Sequence, residues 1–256
     1  MELPDITILI VTFSRPTEIR RTITALQEHL SYRGRLLFHI ADDGSPPPYL
    51  ADLRRDFAHL RPTISRTERQ GWGANVNKAQ LHVKTPYIFL IEDDYVLKRD
   101  LDLTACVALM EIEQQIGMLR FGIVGHGFSC QCHETDISAL VDGYQENDAN
   151  CGYTGAGKVN WWEILPEQPR GPFTFYRYSN RPHLKHRRFH EFYGPYPEGF
   201  SLGGTEHAMN HRIIERARMA PDKAPLIACP ANFTLWHFDH IGKSRQGTRE
   251  DVHGNS

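Results

Sequence analysis

The chain has 256 residues, 40% of them hydrophobic and 23% charged, with a formal net charge of −2. That is long enough for one sizeable core, and it carries no global field aimed at nucleic acid or an anionic membrane. No apolar run reaches the roughly 18–20 residues that span a bilayer. The opening MELPDITILIVTF is acidic where a secretory signal is basic, and the five cysteines are an odd number, so a reducing, cytoplasmic setting is expected.

In chain order, residues 6–13 (ITILIVTF) form an apolar run of the kind that is buried on both faces of a sheet. Pro16 suits the first turn of a helix and Glu18 is favourable there; Ile19, Ile23, Leu26 and Leu30 follow at helical spacing. RLLFHIADDGSPPP is a second strand ending in Asp42, Asp43, a glycine turn and three prolines. YLADLRRDFAHL is a second amphipathic helix, and GWGANVNKAQLHV opens on a glycine turn and becomes a third. YIFLI is the next buried strand, and MLRFGIVG is another. Strands and helices alternating at these lengths predict a parallel, doubly wound sheet.

In such sheets ligands bind beyond the carboxyl ends of the strands. TFSR, ADDGS and the triplet Glu92-Asp93-Asp94 all fall at such ends. Clustered carboxylates disfavour one another's ionisation, and a divalent cation offsets that repulsion. Hard oxygen ligands suit Mg²⁺ or Mn²⁺, which also neutralise a departing diphosphate. A solvated junction is the plainer reading of one acidic pair; two such clusters at two strand ends favour a ligand site.

The ordered set ITILIVTFSRP, ADDGS, GWGANVN and FLIEDD resembles the nucleotide-diphospho-sugar glycosyltransferases of the GT-A fold, nearest to the family 2 type. The resemblance covers about the first hundred residues. It implies a Rossmann-like, mainly parallel α/β sheet with helices on both faces and an irregular acceptor-side half. Residues 1–125 would form the nucleotide-sugar half, 126–242 the acceptor and catalytic half of the same domain, and 243–256 a frayed tail. By position in the motifs, Thr12 and Arg15 line the nucleotide pocket, and Asp42 receives the base beside Asp43. Gly71, Gly73 and Asn77 form the glycine-aromatic-glycine turn, with Arg66 or Arg69 meeting a phosphate or the base. In EDD, Asp94 is the metal ligand, while Glu92 and Asp93 address the ribose or donor sugar.

Transfer with inversion needs a base for the acceptor hydroxyl. GFSLGGTEHAMNHRIIERARMA places Glu206 after paired glycines, in the expected first turn of a helix with Ile213, Ile214 and Ala217 as core positions; this resembles the acidic element facing the acceptor in GT-A enzymes. The plainer role is a charge on the helix dipole. LWHFDHIGKSRQG resembles the family's C-terminal metal-histidine pattern, pointing to His240 first and His237 second, with Lys243 and Arg245 closing over the diphosphate.

Residues 170–190 (RGPFTFYRYSNRPHLKHRRFH) are basic and aromatic without an acid. They fit a loop folded over the acidic rim or, less favoured, a groove for a nucleic-acid acceptor using Arg187 and Arg188; Trp162 and its neighbour Trp161 are candidates for stacking on a sugar or base. CQCHE with Cys151 lacks the paired spacing of strong zinc sites and reads as an ordinary reduced loop. The sequence therefore predicts a metal-dependent glycosyltransferase using a UDP-sugar and a glycan or, less favoured, a hydroxylated DNA base as acceptor. A nucleotidyltransferase is disfavoured because TFSRPTE lacks the glycine-rich loop of that class. A non-catalytic nucleotide-sugar-binding module is the third reading.

Overall fold

The computed structural model describes residues 2–121, 130–141, 157–164, 178–230 and 237–242. The chain begins β1 (Ile6–Thr12), α1 (Pro16–His29), β2 (Leu30–Ser31), β3 (Leu36–Asp42), α2 (Pro47–Asp56), β4 (Thr63–Arg66), α3 (Trp72–His82) and β5 (Tyr87–Glu92). It continues with β6 (Tyr95–Leu97), β7 (Leu101–Asp102), α4 (Thr104–Ile112), β8 (Ile116–Arg120), β9 (Cys130–Asp136) and β10 (Lys158–Ile164). The last elements are β11 (His183–His186), α5 (Arg188–Tyr193), α6 (Leu202–Met219), β12 (Leu226–Pro230) and β13 (Phe238–His240).

One sheet takes nine of these strands, in the order β4-β3-β1-β5-β11-β8-β12-β10-β9. β4, β3, β1 and β5 pair in parallel. β11 enters antiparallel between β5 and β8, which restores the original direction for β8 and its parallel neighbour β12. All seven residues of β1 are buried, because helices cover both faces of the sheet. Ile6, Ile8 and Ile10 face one apolar cluster with α1, α2 and α4. Leu9 and Val11 face a second with residues of α3, α5 and α6. The carboxyl ends of β3, β1, β5, β8 and β12 thus share one rim, and so does the amino end of β11.

Two features position the loops of that rim. Gly71 sits at φ 88, a conformation that disfavours side chains. Gly73, in the first turn of α3, packs against the 195–199 loop so closely that an added Cβ would lie 2.2 Å from the Pro197 carbonyl oxygen. Gly73→Ala is therefore expected to cost about 1–3 kcal/mol through overpacking, read as a lower urea midpoint with an unchanged m-value.

Candidate active site

Thr12, Asp42 and Glu92 end three adjacent strands. Thr12 stands opposite Asp42, and Val11 stands opposite Glu92. The chain leaving each strand bonds to its neighbour: Asp43 N–H donates to the Thr12 carbonyl at 3.0 Å, and Asp93 N–H to the Val11 carbonyl at 2.9 Å. The two acidic clusters, far apart in sequence, are brought together by strand order.

The carboxylates of ADDGS hold the loops in shape. Asp42 is fully buried. Its Oδ2 accepts from Ser45 N–H at 2.9 Å and Gly44 N–H at 3.2 Å, its Oδ1 accepts from the Ser45 hydroxyl, and Arg66 stands 3.6 Å away. Asp43 accepts from the Thr67 hydroxyl (2.7 Å), Gln70 N–H (2.9 Å) and Gly71 N–H (3.0 Å). Arg69, at φ 55, lays its guanidinium 3.8 Å over the Phe13 ring. Asn77 does not face this pocket. It donates to the Tyr196 carbonyl (2.9 Å) and Glu198 (2.7 Å), and accepts from Tyr196 N–H (2.9 Å). Asn75 is the inward residue, donating to the Ala41 carbonyl at 2.9 Å. Two positions apart on a helix is roughly 200° of rotation, so the two asparagines serve opposite sides.

Asp93 and Asp94 are each 4% exposed. Asp93 accepts from the Thr12 hydroxyl at 2.7 Å and Phe13 N–H at 3.3 Å. Arg15 bridges the pair, 3.2 Å from Asp93 Oδ1 and in contact with Asp94 Oδ2. Burial pushes the Asp93 carboxyl up to about 6, against the opposing pull of the Thr12 hydroxyl and Arg15. Glu92 is raised well above the usual carboxylate range, by burial first and then by Asp94, Asp93 and Glu206. Burial would lower Arg15, but the surrounding carboxylates outweigh it and its pKa is raised.

His240 Nε2 lies 3.2 Å from Asp94 Oδ2, and its ring leans on Tyr95 with centroids 5.0 Å apart. β13 pairs antiparallel with β6, opposing His240 to Tyr95 and Phe238 to Leu97. His237 lies three residues back along this ribbon, roughly 10 Å at strand rise, where its carbonyl accepts from Lys98 N–H at 2.7 Å. Of the two histidines, His240 is the one that meets Asp94. Lys243 and Arg245 fall outside the described residues.

Does this cluster suit a hard cation? Among the described residues, Glu92 Oε1 and Asp94 Oδ1 are buried oxygens without a hydrogen-bond partner, and an imidazole nitrogen stands beside Asp94. This donor set fits Mn²⁺ or Mg²⁺ as a partial shell that substrate phosphates complete. Among the described residues no three His, Cys, Asp or Glu side chains form a ready cage.

Glu206 approaches from the other half. Ser201 caps α6, accepting from Gly204 N–H at 3.2 Å, and the first turn holds no acid. Glu206 therefore sits one turn further in than its sequence suggests, which removes the helix-dipole role. It couples electrostatically to Glu92 and Tyr95, and its Oε1 accepts from Asn180 N–H at 2.9 Å. Arg120, at the end of β8, is 8% exposed; burial lowers its pKa, while Cys229 and Glu206 raise it. Nothing in the local sequence marks Arg120 or Asn180, because β11 and β8 become neighbours of the rim only through strand order.

The remaining assignments divide. Trp162 is 36% exposed and pairs with Cys229 near the carboxyl end of β12, so it is at the rim, four strand positions or roughly 19 Å from β5. Trp161 is core, stacked on His133 with centroids 4.3 Å apart. Arg187 and Arg188 do not belong to the site. β11 runs antiparallel to β5, with His186 opposite Tyr87, and so delivers both arginines to the far end of the sheet. There Arg188 donates to the Met110 (2.9 Å) and Ile116 (2.8 Å) carbonyls. CQCHE is a strand and not a loop; alternation puts Cys132 and His133 on opposite faces, while the Cys130 side chain and Cys151 fall outside the described residues.

Comparison with known proteins places this architecture. Residues 7–128 match the family described as Glycosyl transferase family 2. The solved structure of the mannosyltransferase PcManGT from Pyrobaculum calidifontis, in complex with GDP-Man and Mn²⁺, superposes with a TM-score of 0.57 at 14% identity, over 95% of this chain and 59% of that one. S. aureus TarS 1-349 in complex with UDP gives 0.56 at 13% identity, over 93% and 60%. This chain thus spans less than two thirds of either, and both likenesses show the fold. No curated protein matches the sequence.

Arg15→Gln would leave Asp93 and Asp94 facing each other without their cation. It is expected to lower stability in chelating buffer by about 1–3 kcal/mol, less than a fully buried pair because Arg15 is partly exposed. A chemical denaturation curve of each protein measures the difference.

Proposed function

We propose that this chain, which has the GT-A fold and matches Glycosyl transferase family 2 over residues 7–128, moves a sugar from a nucleotide-diphosphate donor, a UDP-sugar, to an acceptor hydroxyl with inversion. The observation that carries this reading is the convergence of Thr12, Arg15, Asp93, Asp94 and His240 on one rim, with Glu206 electrostatically coupled to Glu92 across it.

The 12–15 and 42–45 loops and the 67–71 turn would enclose the nucleotide, with Asp42 and Asp43 shaping the wall and Arg69 and Gly71 on the phosphate side. Glu92 and Asp93 would meet the ribose or the donor sugar. Asp94 and His240 would hold Mn²⁺ or Mg²⁺, which supplies charge neutralisation of the departing diphosphate. Arg15 would exchange its carboxylate partners for donor phosphate. Glu206 would accept the proton of the acceptor hydroxyl as that oxygen bonds to the anomeric carbon and the diphosphate leaves with the bonding electrons.

The acceptor we favour is a glycan hydroxyl, approached past Trp162. A nucleic-acid acceptor loses support, because Arg187 and Arg188 lie at the opposite end of the sheet. The match of residues 7–128 to Glycosyl transferase family 2 weighs against a nucleotidyltransferase. No helix among the described residues is long and apolar enough to cross a membrane.

The test is release of nucleoside diphosphate from UDP-glucose, UDP-N-acetylglucosamine and GDP-mannose with Mn²⁺, with and without oligosaccharide acceptors. Glu206→Gln is expected to reduce turnover by about 10²–10⁴-fold while leaving UDP affinity intact by calorimetry; full turnover would remove the base assignment. In Mn²⁺ titrations with UDP present, Asp94→Asn and His240→Ala should each weaken binding about tenfold or more, whereas His237→Ala should match the parent protein.

A further inference from the structure

Two groups of buried polar side chains lie behind the candidate base. Lys185, in β11, is 1% exposed. Its Nζ donates to His190 Nε2 at 2.9 Å and to the Tyr196 hydroxyl at 2.8 Å. His190 donates its other nitrogen, Nδ1, to the Gly194 carbonyl at 2.8 Å, so Nε2 is the free acceptor that Lys185 requires. A neutral amine has two N–H donors, and both are used. Burial lowers the Lys185 pKa well below its ordinary value, in keeping with that count.

The Tyr178 hydroxyl donates to Asn180 Oδ1 at 2.7 Å, and its ring lies against that of Tyr196 with centroids 5.7 Å apart. The Asn180 backbone N–H in turn donates to Glu206 Oε1 at 2.9 Å. Tyr178 N–H also reaches Asn210 Oδ1 at 3.4 Å. Glu206 and Asn210 are four residues apart on α6 and share a face, so both grip the 178–180 segment.

That segment also carries a cost. Asn180 Nδ2 is buried without a partner among the described residues, which disfavours the arrangement by the desolvation of one amide donor. Something else must hold it in place, and the bonds of Tyr178 to Asn180 Oδ1 and Asn210 Oδ1 do so.

We propose that Tyr178 is a positioning residue for Glu206: its bonds to Asn180 and Asn210 fix the 178–180 segment, whose Asn180 N–H holds Oε1 and leaves Oε2 for the acceptor hydroxyl. This rests on Glu206 being the base. Loss of a link moves the carboxylate without touching the donor site, so it lowers kcat and leaves the KM for the donor unchanged.

The experiment compares Tyr178→Phe with Tyr193→Phe. Tyr193 belongs to the same apolar cluster and is equally buried, but its hydroxyl donates to the Pro225 carbonyl at 2.8 Å, away from Glu206. In Tyr178→Phe, kcat for nucleoside diphosphate release from the donors named above should fall about tenfold with donor KM within about twofold. The Asn180 amide should exchange its hydrogen about tenfold faster or more. Tyr193→Phe should lose stability but keep both kcat and Asn180 protection. Wild-type kcat and protection in Tyr178→Phe, or equal losses in Tyr193→Phe, would overturn the proposal. Where none of the three donors turns over, the exchange comparison decides alone. Glu206→Gln with full turnover overturns the base reading and the positioning role together; an inactive Glu206→Gln beside a fully active Tyr178→Phe overturns the positioning role alone.

Discussion

The guanidinium of Arg15, set between Asp93 and Asp94, is the interaction on which the site depends. Three consecutive acidic side chains at the end of a buried strand would repel one another in a medium that screens poorly. One of them, Glu92, responds by shifting strongly toward its neutral form, and Asp93 shifts part of the way. Arg15 compensates the remainder from the loop after β1, and it can do so because β1 and β5 are direct neighbours. A cation in that position also marks where positive charge is wanted.

The Glu206 side of the rim is built on a different principle. β11 turns against the direction of the flanking strands and brings residues 178–183 up to the rim from the second half of the chain. Glu206 arrives on α6, a helix packed near α3 and α5 on one face of the sheet. The 42–45 and 67–71 loops are held by carboxylates accepting from backbone N–H groups. Glu206, by contrast, accepts from the Asn180 backbone N–H, beside the buried Tyr178 hydroxyl that bonds the Asn180 side chain.

Some of the local errors in reading the chain have geometric causes. Asn77 and Asn75 are equivalent as letters in GWGANVN, but helix rotation sends one toward Tyr196 and the other toward Ala41. Arg187 and Arg188 look like part of a basic groove, yet the antiparallel course of β11 carries them away from the carboxylates, where Arg188 satisfies backbone carbonyls. α4 gives no helical stripe because seven of its nine residues are buried, and a helix apolar on all sides has no period to detect.

What the amino-acid order determined by itself was the alternation of buried strands with amphipathic helices, and the placing of ADDGS and EDD at strand ends. Both follow from local rules, since burial on two faces demands uninterrupted apolar runs and polar residues then collect where the strands emerge. Only the tertiary structure decided which ends are neighbours, which histidine meets Asp94, and that Arg120 and Asn180 stand beside Glu206. Those relations are set by strand order and direction across the sheet, and residues tens of positions or more apart leave no mark on each other's local sequence.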